Sequence, residues 1–530
     1  MIKLQIVDGS LQISINGSII LVAPKNSLAI DVLALYDAIP YVTIYNKYLG
    51  NSTVVFNQPL TNCEDSTSTP FDVTSFIAFA EANLGFDNSG GGGSSPFEYN
   101  TNGTGIQPIL GTNVASGSYA TVGGGTGNIA SGYFSAIGGG VSNTASCYAS
   151  IIGGGVGNNA FGALSFIGSG GANSTSNSSA TIGGGCSNTA SGYISFIGGG
   201  RNNIASNSYS TVSGGLLNTA SSFYSTVSGG KGNTASSTYS AIGGGQGNTA
   251  SGCRSVIGGG YFNTACNNYS TVGGGYRNTA FGSYSTIGGG KSNASNGCLS
   301  TVGGGQSNTS FGCLTTVSGG CLNTAFCSLS TVGGGSQNCA SGSYSTISGG
   351  ANNTAQSACS TISGGQFNNA SCRASTVGGG AYNTASNYFS TISGGGLGIA
   401  SGTYSTIGGG SYNCATQLAT TIGGGRCNIS NGAYSTVSGG QNNNSSGYKT
   451  FIGGGFNNSI TGGEYSSILG GSNNNTNNYD NVHIIGNNIN ANRTCATFVN
   501  ELSIMNIPTS GAGLPTGAVY LNGTYLSIVP

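Results

Sequence analysis

A glycosidase places two carboxyl groups across one scissile bond. Between Glu98 and Glu464 this chain has neither aspartate nor glutamate, so that long stretch cannot supply the pair. A serine–histidine–carboxylate triad needs an imidazole. The one histidine, His483, lies in an asparagine-rich segment near the C-terminus and reads as a surface or cap residue. The 15 cysteines come without CxxC spacing and without histidine neighbours, which does not make a zinc site. No GxxxxGK(S/T) phosphate loop occurs; Lys231 and Lys291 each follow glycines in what read as turns between strands. These residues point away from catalysis, and no enzyme activity, metal or cofactor is expected.

Composition agrees with that direction. The chain of 530 residues has 12 basic and 12 acidic side chains against 100 glycines. A charge-balanced chain lacks the basic surplus of a nucleic-acid binder. No run of about 18 apolar residues marks a membrane span, and the N-terminal MIKLQIVDGSLQISING shows no apolar segment of a secretory signal. Synthesis in a cytoplasm without a signal peptide is the expectation, and unpaired cysteines fit that compartment.

The glycines are periodic, with a period of 15. With Gly123 as position one, the unit reads GGGxxNTASGxYSTI from about residue 108 to 467. Position fifteen is Ile or Val at all 23 sites from Val122 to Ile452, so this column is a candidate core. Position three is Gly throughout, as at Gly125. Position six is Asn at 23 of 24 sites, with Gly398 the exception. Position eight is small, usually Ala. The structural residues are typified by Gly125, Asn128, Ala130, Ile137, Asn248, Ile287 and Asn308.

A unit this short with glycine triplets does not make helices. Positions twelve to fifteen, such as Tyr284-Ser285-Thr286-Ile287, suit a strand with Ser285 and Ile287 inward and Tyr284 and Thr286 outward. Positions five to eight suit a second strand, with Asn248 and Ala250 inward. The glycine triplet and the Ser-Gly near positions nine and ten suit the turns. The fold predicted is all-β: a parallel β-roll or β-solenoid with one coil per repeat and about 24 coils. The inward asparagines should form a ladder, each serving the next coil or a turn.

One branched aliphatic per coil contributes about 1.5–3 kcal/mol, against about 1 kcal/mol or more for ordering each residue. So lean a coil predicts association along its length, most simply as a homotrimer.

The flanks differ. Residues 1–88 hold eight of the twelve acids and read as a small α+β attachment domain, with a helix over VTSFIAFAEANLGF capped by Asp72 or Thr74. Residues 89–107 read as a Gly/Ser linker. After residue 460 the period slips, and residues 468–530 read as an asparagine-rich transition and a short β cap or tip.

The segment NTAFGSYSTIGGG (residues 278–290) and its variants resemble the head repeats of trimeric autotransporter adhesins of the YadA type, and also repeats of phage tail fibres. The resemblance covers about 360 of the 530 residues. It implies a left-handed, trimerising parallel β-roll with adhesive function. The C-terminal GLPTGAVY segment resembles the ends of phage fibre proteins. With no signal peptide or membrane anchor read from the sequence, the expectation is a virion or tail fibre. Such a fibre docks through its N-terminal domain and contacts a host surface glycan or protein, with no membrane insertion. A bacterial surface adhesin or extracellular filament is the alternative. An ice-binding solenoid is a lesser one, suggested by the threonine column at position fourteen.

Tyr209, Tyr224 and Tyr239 are candidate glycan contacts. Eight basic residues and no acid lie in the repeats, spread over several repeat positions. They predict solubility by like-charge repulsion, with weak attraction to acidic glycans as the other reading. Cys298 and Cys313 share position eleven in adjacent coils, close enough for a disulfide.

Overall fold

In the computed structural model, the described residues are 2–7, 10–15, 18–24, 43–45, 54–55, 97–100, 103–109, 112–501, 507–522 and 525–529. They fall in two units, divided between Ser94 and Ser95. The first contains a five-stranded sheet in the order Ser18–Pro24, Ser10–Ile15, Ile2–Val7, Thr43–Tyr45, Val54–Val55. Its pairings are antiparallel except Ile2–Val7 with Thr43–Tyr45. The helix expected over VTSFIAFAEANLGF lies outside the described residues.

The second unit is a parallel β-solenoid of about 26 coils, nearly all of 15 residues, with no helix among the described residues. The coil 273–287 represents the rest. Thr286–Ile287 pairs in parallel with Thr271–Val272 before it and Thr301–Val302 after it. Thr279–Ala280 pairs likewise with its own neighbours. A third column of single bridges runs through position four, Tyr261 to Tyr276 to Lys291. Ile287, Ala280, Asn278 and Ser285 are 0% exposed, and Tyr284 is 52% exposed. The alternation of position twelve to fifteen side chains is thus as the sequence implied.

The backbone differs from the sequence expectation in one respect. Each strand of the repeats is two residues long, and positions five and twelve are left-handed rather than extended. Arg277 has φ +53° and Tyr284 has φ +58°. Aromatic and aliphatic residues recur there, although this region disfavours any residue with a Cβ. The hydrogen bonds give the reason. Most ladder N–H groups donate forward, as Thr286 does to the Ser300 carbonyl and Thr279 to that of Asn293. At the left-handed positions the N–H turns backward: Arg277 donates to the Tyr261 carbonyl and Tyr284 to that of Asn268, both at 2.9 Å. A local conformational cost of about 1–2 kcal/mol is offset by a bond that ties each corner to the preceding coil.

The solenoid begins within the stretch read as a linker. Phe97–Tyr99 and Ile106–Pro108 form an antiparallel hairpin, and Ile106 pairs in parallel with Thr121 of the first coil. At the other end an inserted residue lengthens one coil: Phe451–Ile452 pairs with Ser467–Ile468, 16 residues on. Val482–Ile485 and then Ala496–Val499 extend that sheet. A separate hairpin, Val519–Asn522 with Tyr525–Ile528, begins within GLPTGAVY (residues 513–520).

Candidate binding surface

The interior is occupied by structural chemistry. Each position-six asparagine uses its whole amide. Asn278 Nδ2 donates to the Gly274 carbonyl in its own coil and to the Gly290 carbonyl in the next, each at 2.9 Å. Its Oδ1 accepts the backbone N–H of Asn293 at 2.9 Å. Asn128, Asn248 and Asn308 make the corresponding contacts and are fully buried. Ala130, Ile137 and Ile287 line the same interior. Gly125 has φ +83°, and a Cβ on it would strike the carbonyl oxygen of Gly140 in the following coil. These residues have no free polar atom to offer a ligand.

Gly398 interrupts the asparagine ladder. Its N–H still donates to Asn383 Oδ1 at 2.9 Å, but the next coil's Asn413 N–H faces no side-chain oxygen at 398. The backbone φ at 398 is not positive, and a Cβ there would meet Asn383 Oδ1 at 3.0 Å and Ile392 Cγ2 at 3.6 Å, the space an asparagine fills in the other coils. Gly398→Asn is expected to restore three hydrogen bonds and raise stability by about 1–3 kcal/mol. Thermal unfolding should move upward, and exchange of amides in residues 395–428 should slow. A lower melting temperature would contradict the ladder's role.

Outward, position twelve forms a column. Tyr209, Tyr224 and Tyr239 stack face to face, with centroids 4.7 and 5.0 Å apart and interplanar angles of 13° and 5°. Arg254 continues the column between Tyr239 and Tyr269, and Tyr269 stacks on Tyr284 at 4.6 Å. The ring faces are spent on one another. What Tyr209, Tyr224 and Tyr239 leave uncovered is their edges and hydroxyls, an orientation the sequence pattern did not reveal. Leu299, Leu314 and Leu329 carry the column onward, all exposed.

The remaining sequence candidates are separate. Ser467 Oγ lies 2.8 Å from His483 Nδ1, one exposed rung of the terminal ladder. All 14 described cysteines are free thiols, including Cys298 and Cys313. Burial pushes the Cys266, Cys339 and Cys414 thiols above their ordinary pKa, which makes them less reactive. Lys449 sits over the Tyr448 and Tyr465 rings, and its hydrogen bond to Tyr448 raises its pKa. No helix among the described residues is long and apolar enough to cross a membrane.

No known protein-family model matches the chain, and no curated protein matches it.

Proposed function

We propose that the chain is a non-enzymatic, homotrimeric fibre protein of a phage or virus-like particle, with the solenoid as its shaft. The observation that carries this reading is an exposed apolar ridge along an otherwise regular ladder. Tyr269, Tyr284, Leu299, Leu314, Leu329 and Tyr344 stand exposed on six successive rungs of one column. Contiguous apolar surface of this extent marks an interface, and a second copy of the same chain, in register, offers a matching column of equal length. The lean interior supports the same conclusion, since one Ile or Val per coil is little core for 15 ordered residues.

In this reading residues 1–88 attach the fibre to its particle. The shaft supplies reach, and its surface or C-terminal end contacts a host glycan or protein. Three chains with many shallow contacts give avidity without a single deep pocket. The assignment to a virion rests on the resemblance of the repeats and of the C-terminal segment. An ice-binding role finds less support: the outward threonines run from Thr271 to Thr436 in single file, one per strand.

Electron microscopy of the full-length chain tests the reading. Straight rods are expected, with a shaft of roughly 125 Å from the rung spacing of about 4.8 Å. Immunogold against the N-terminus of native particles should label the fibre's attached end. Labelling on cell surfaces in place of particles would overturn the virion assignment in favour of a bacterial adhesin.

A further inference from the structure

Five of the eight basic residues in the repeats share one corner of the coil. Arg201, Lys231, Lys291 and Arg426 occupy position four, and Arg277 occupies position five. The position-four bridges set the register: Arg201, Leu216, Lys231, Gln246, Tyr261, Tyr276 and Lys291 follow one another, rung by rung. Arg201 and Lys291 are therefore about 29 Å apart along the shaft at about 4.8 Å per rung. The left-handed backbone at position five turns Phe262 and Arg277 out of the same corner.

The corner is exposed and chemically mixed. Arg201, Lys231, Arg277 and Lys291 are all exposed. Tyr261 stacks on Tyr276 at 5.5 Å, and the Arg277 guanidinium lies 5.2 Å from the Tyr276 ring centroid. Phe262 is 45% exposed, and its ring lies over Gly247, where any Cβ would displace it. No acid occurs between Glu98 and Glu464 to repel an anion.

We propose that this corner, from Arg201 to Lys291, binds a linear acidic polysaccharide laid along the shaft. The charges are two or more rungs apart over most of its length, with an amide, tyrosine hydroxyls and an aromatic face between them. That pattern suits a polymer that carries a carboxylate or sulfate on every second sugar, with hydroxyls and an apolar sugar face between charges. Duplex nucleic acid carries a charge about every 1.7 Å and selects denser basic surfaces. The corner lies across the Thr279–Ala280 strand column from the apolar ridge, so the two surfaces use different turns of the coil. The inference rests on the fibre reading and names the ligand class of its shaft.

The test uses the full-length chain on immobilised hyaluronan and unsulfated chondroitin, each with one carboxylate on every second sugar, with dextran and duplex DNA alongside. Wild type should bind both acidic polysaccharides in a salt-sensitive way and leave dextran unbound. Lys231→Gln/Arg277→Gln/Lys291→Gln should weaken binding about tenfold or more. Arg373→Gln/Arg426→Gln/Arg493→Gln, outside the Arg201–Lys291 stretch and off the apolar ridge, with the same change in net charge, should weaken it about twofold or less by long-range attraction alone. Phe262→Ala should weaken binding with the charge unchanged. Equal loss in the two triple variants, absence of wild-type binding to both acidic polymers, or preference for DNA would each overturn the proposal. Light scattering on the same samples separates the two readings: a trimer that fails to bind overturns the ligand assignment alone, whereas a monomer overturns the fibre.

Discussion

Gly290→Ala is expected to cost at least about 3 kcal/mol and to break the shaft locally. Gly290 has φ +89°, well beyond the left-handed values near +55° that Arg277 and Tyr284 tolerate. A Cβ there would run into the carbonyl oxygen of Gly305 and lie 2.7 Å from Asn293 Nδ2. Both obstacles belong to the ladder itself: the Gly305 oxygen accepts the Lys291 N–H at 2.8 Å, and the Asn293 amide donates to the same oxygen at 2.9 Å. Neither can move without loosening its own coil. In a repeat array each coil contacts only its neighbours, so the damage should stay local. Amide exchange should accelerate over residues 275–305, and a protease should cut there first, while coils further along keep their protection. Wild-type exchange across that segment would contradict this account of the invariant glycine.

Asn278→Leu is expected to cost about 3–4 kcal/mol, although leucine fills much the same space. The substitution removes two donated hydrogen bonds and one accepted one. The Gly290 carbonyl keeps a partner in the Tyr276 N–H. The Asn293 N–H loses its side-chain acceptor in a buried site, and an unpaired buried donor carries the greater part of the loss. Asn278→Asp separates donor from acceptor. A carboxylate still accepts the Asn293 N–H but turns negative oxygen toward the Gly274 and Gly290 carbonyls. Burial and those carbonyls would raise its folded-state pKa above the unfolded value of about 3.9. The folded state then binds the proton more tightly, so stability falls as pH rises through that interval. The Asp variant should therefore unfold more easily at pH 7 than at pH 4. Denaturant titration at both values checks the sign, and a pH-independent loss would contradict it.

Much of the shaft was legible because the period exposes each residue's role many times. Ile or Val at position fifteen and Asn at position six recur without a functional reason to do so, and burial explains both. The left-handed corners were not legible. Tyr, Leu, Arg and Ala share position twelve, and none of them signals a positive φ as glycine does. Only the backward hydrogen bond of Tyr284 to Asn268 shows why the strand stops before it. The candidate surface was half legible. The tyrosine columns follow from the repeat, but the spending of their faces on each other depends on ring orientation. The basic residues seemed scattered over several positions. Positions four and five become one corner only once the turn between them is known.

The central claim is that this lean solenoid associates along its exposed ridge. Multi-angle light scattering of the full-length chain tests it most directly. The account predicts one species at three times the chain mass of 52.0 kDa, persisting on dilution. A stable, folded species at 52.0 kDa across the concentration range would contradict it.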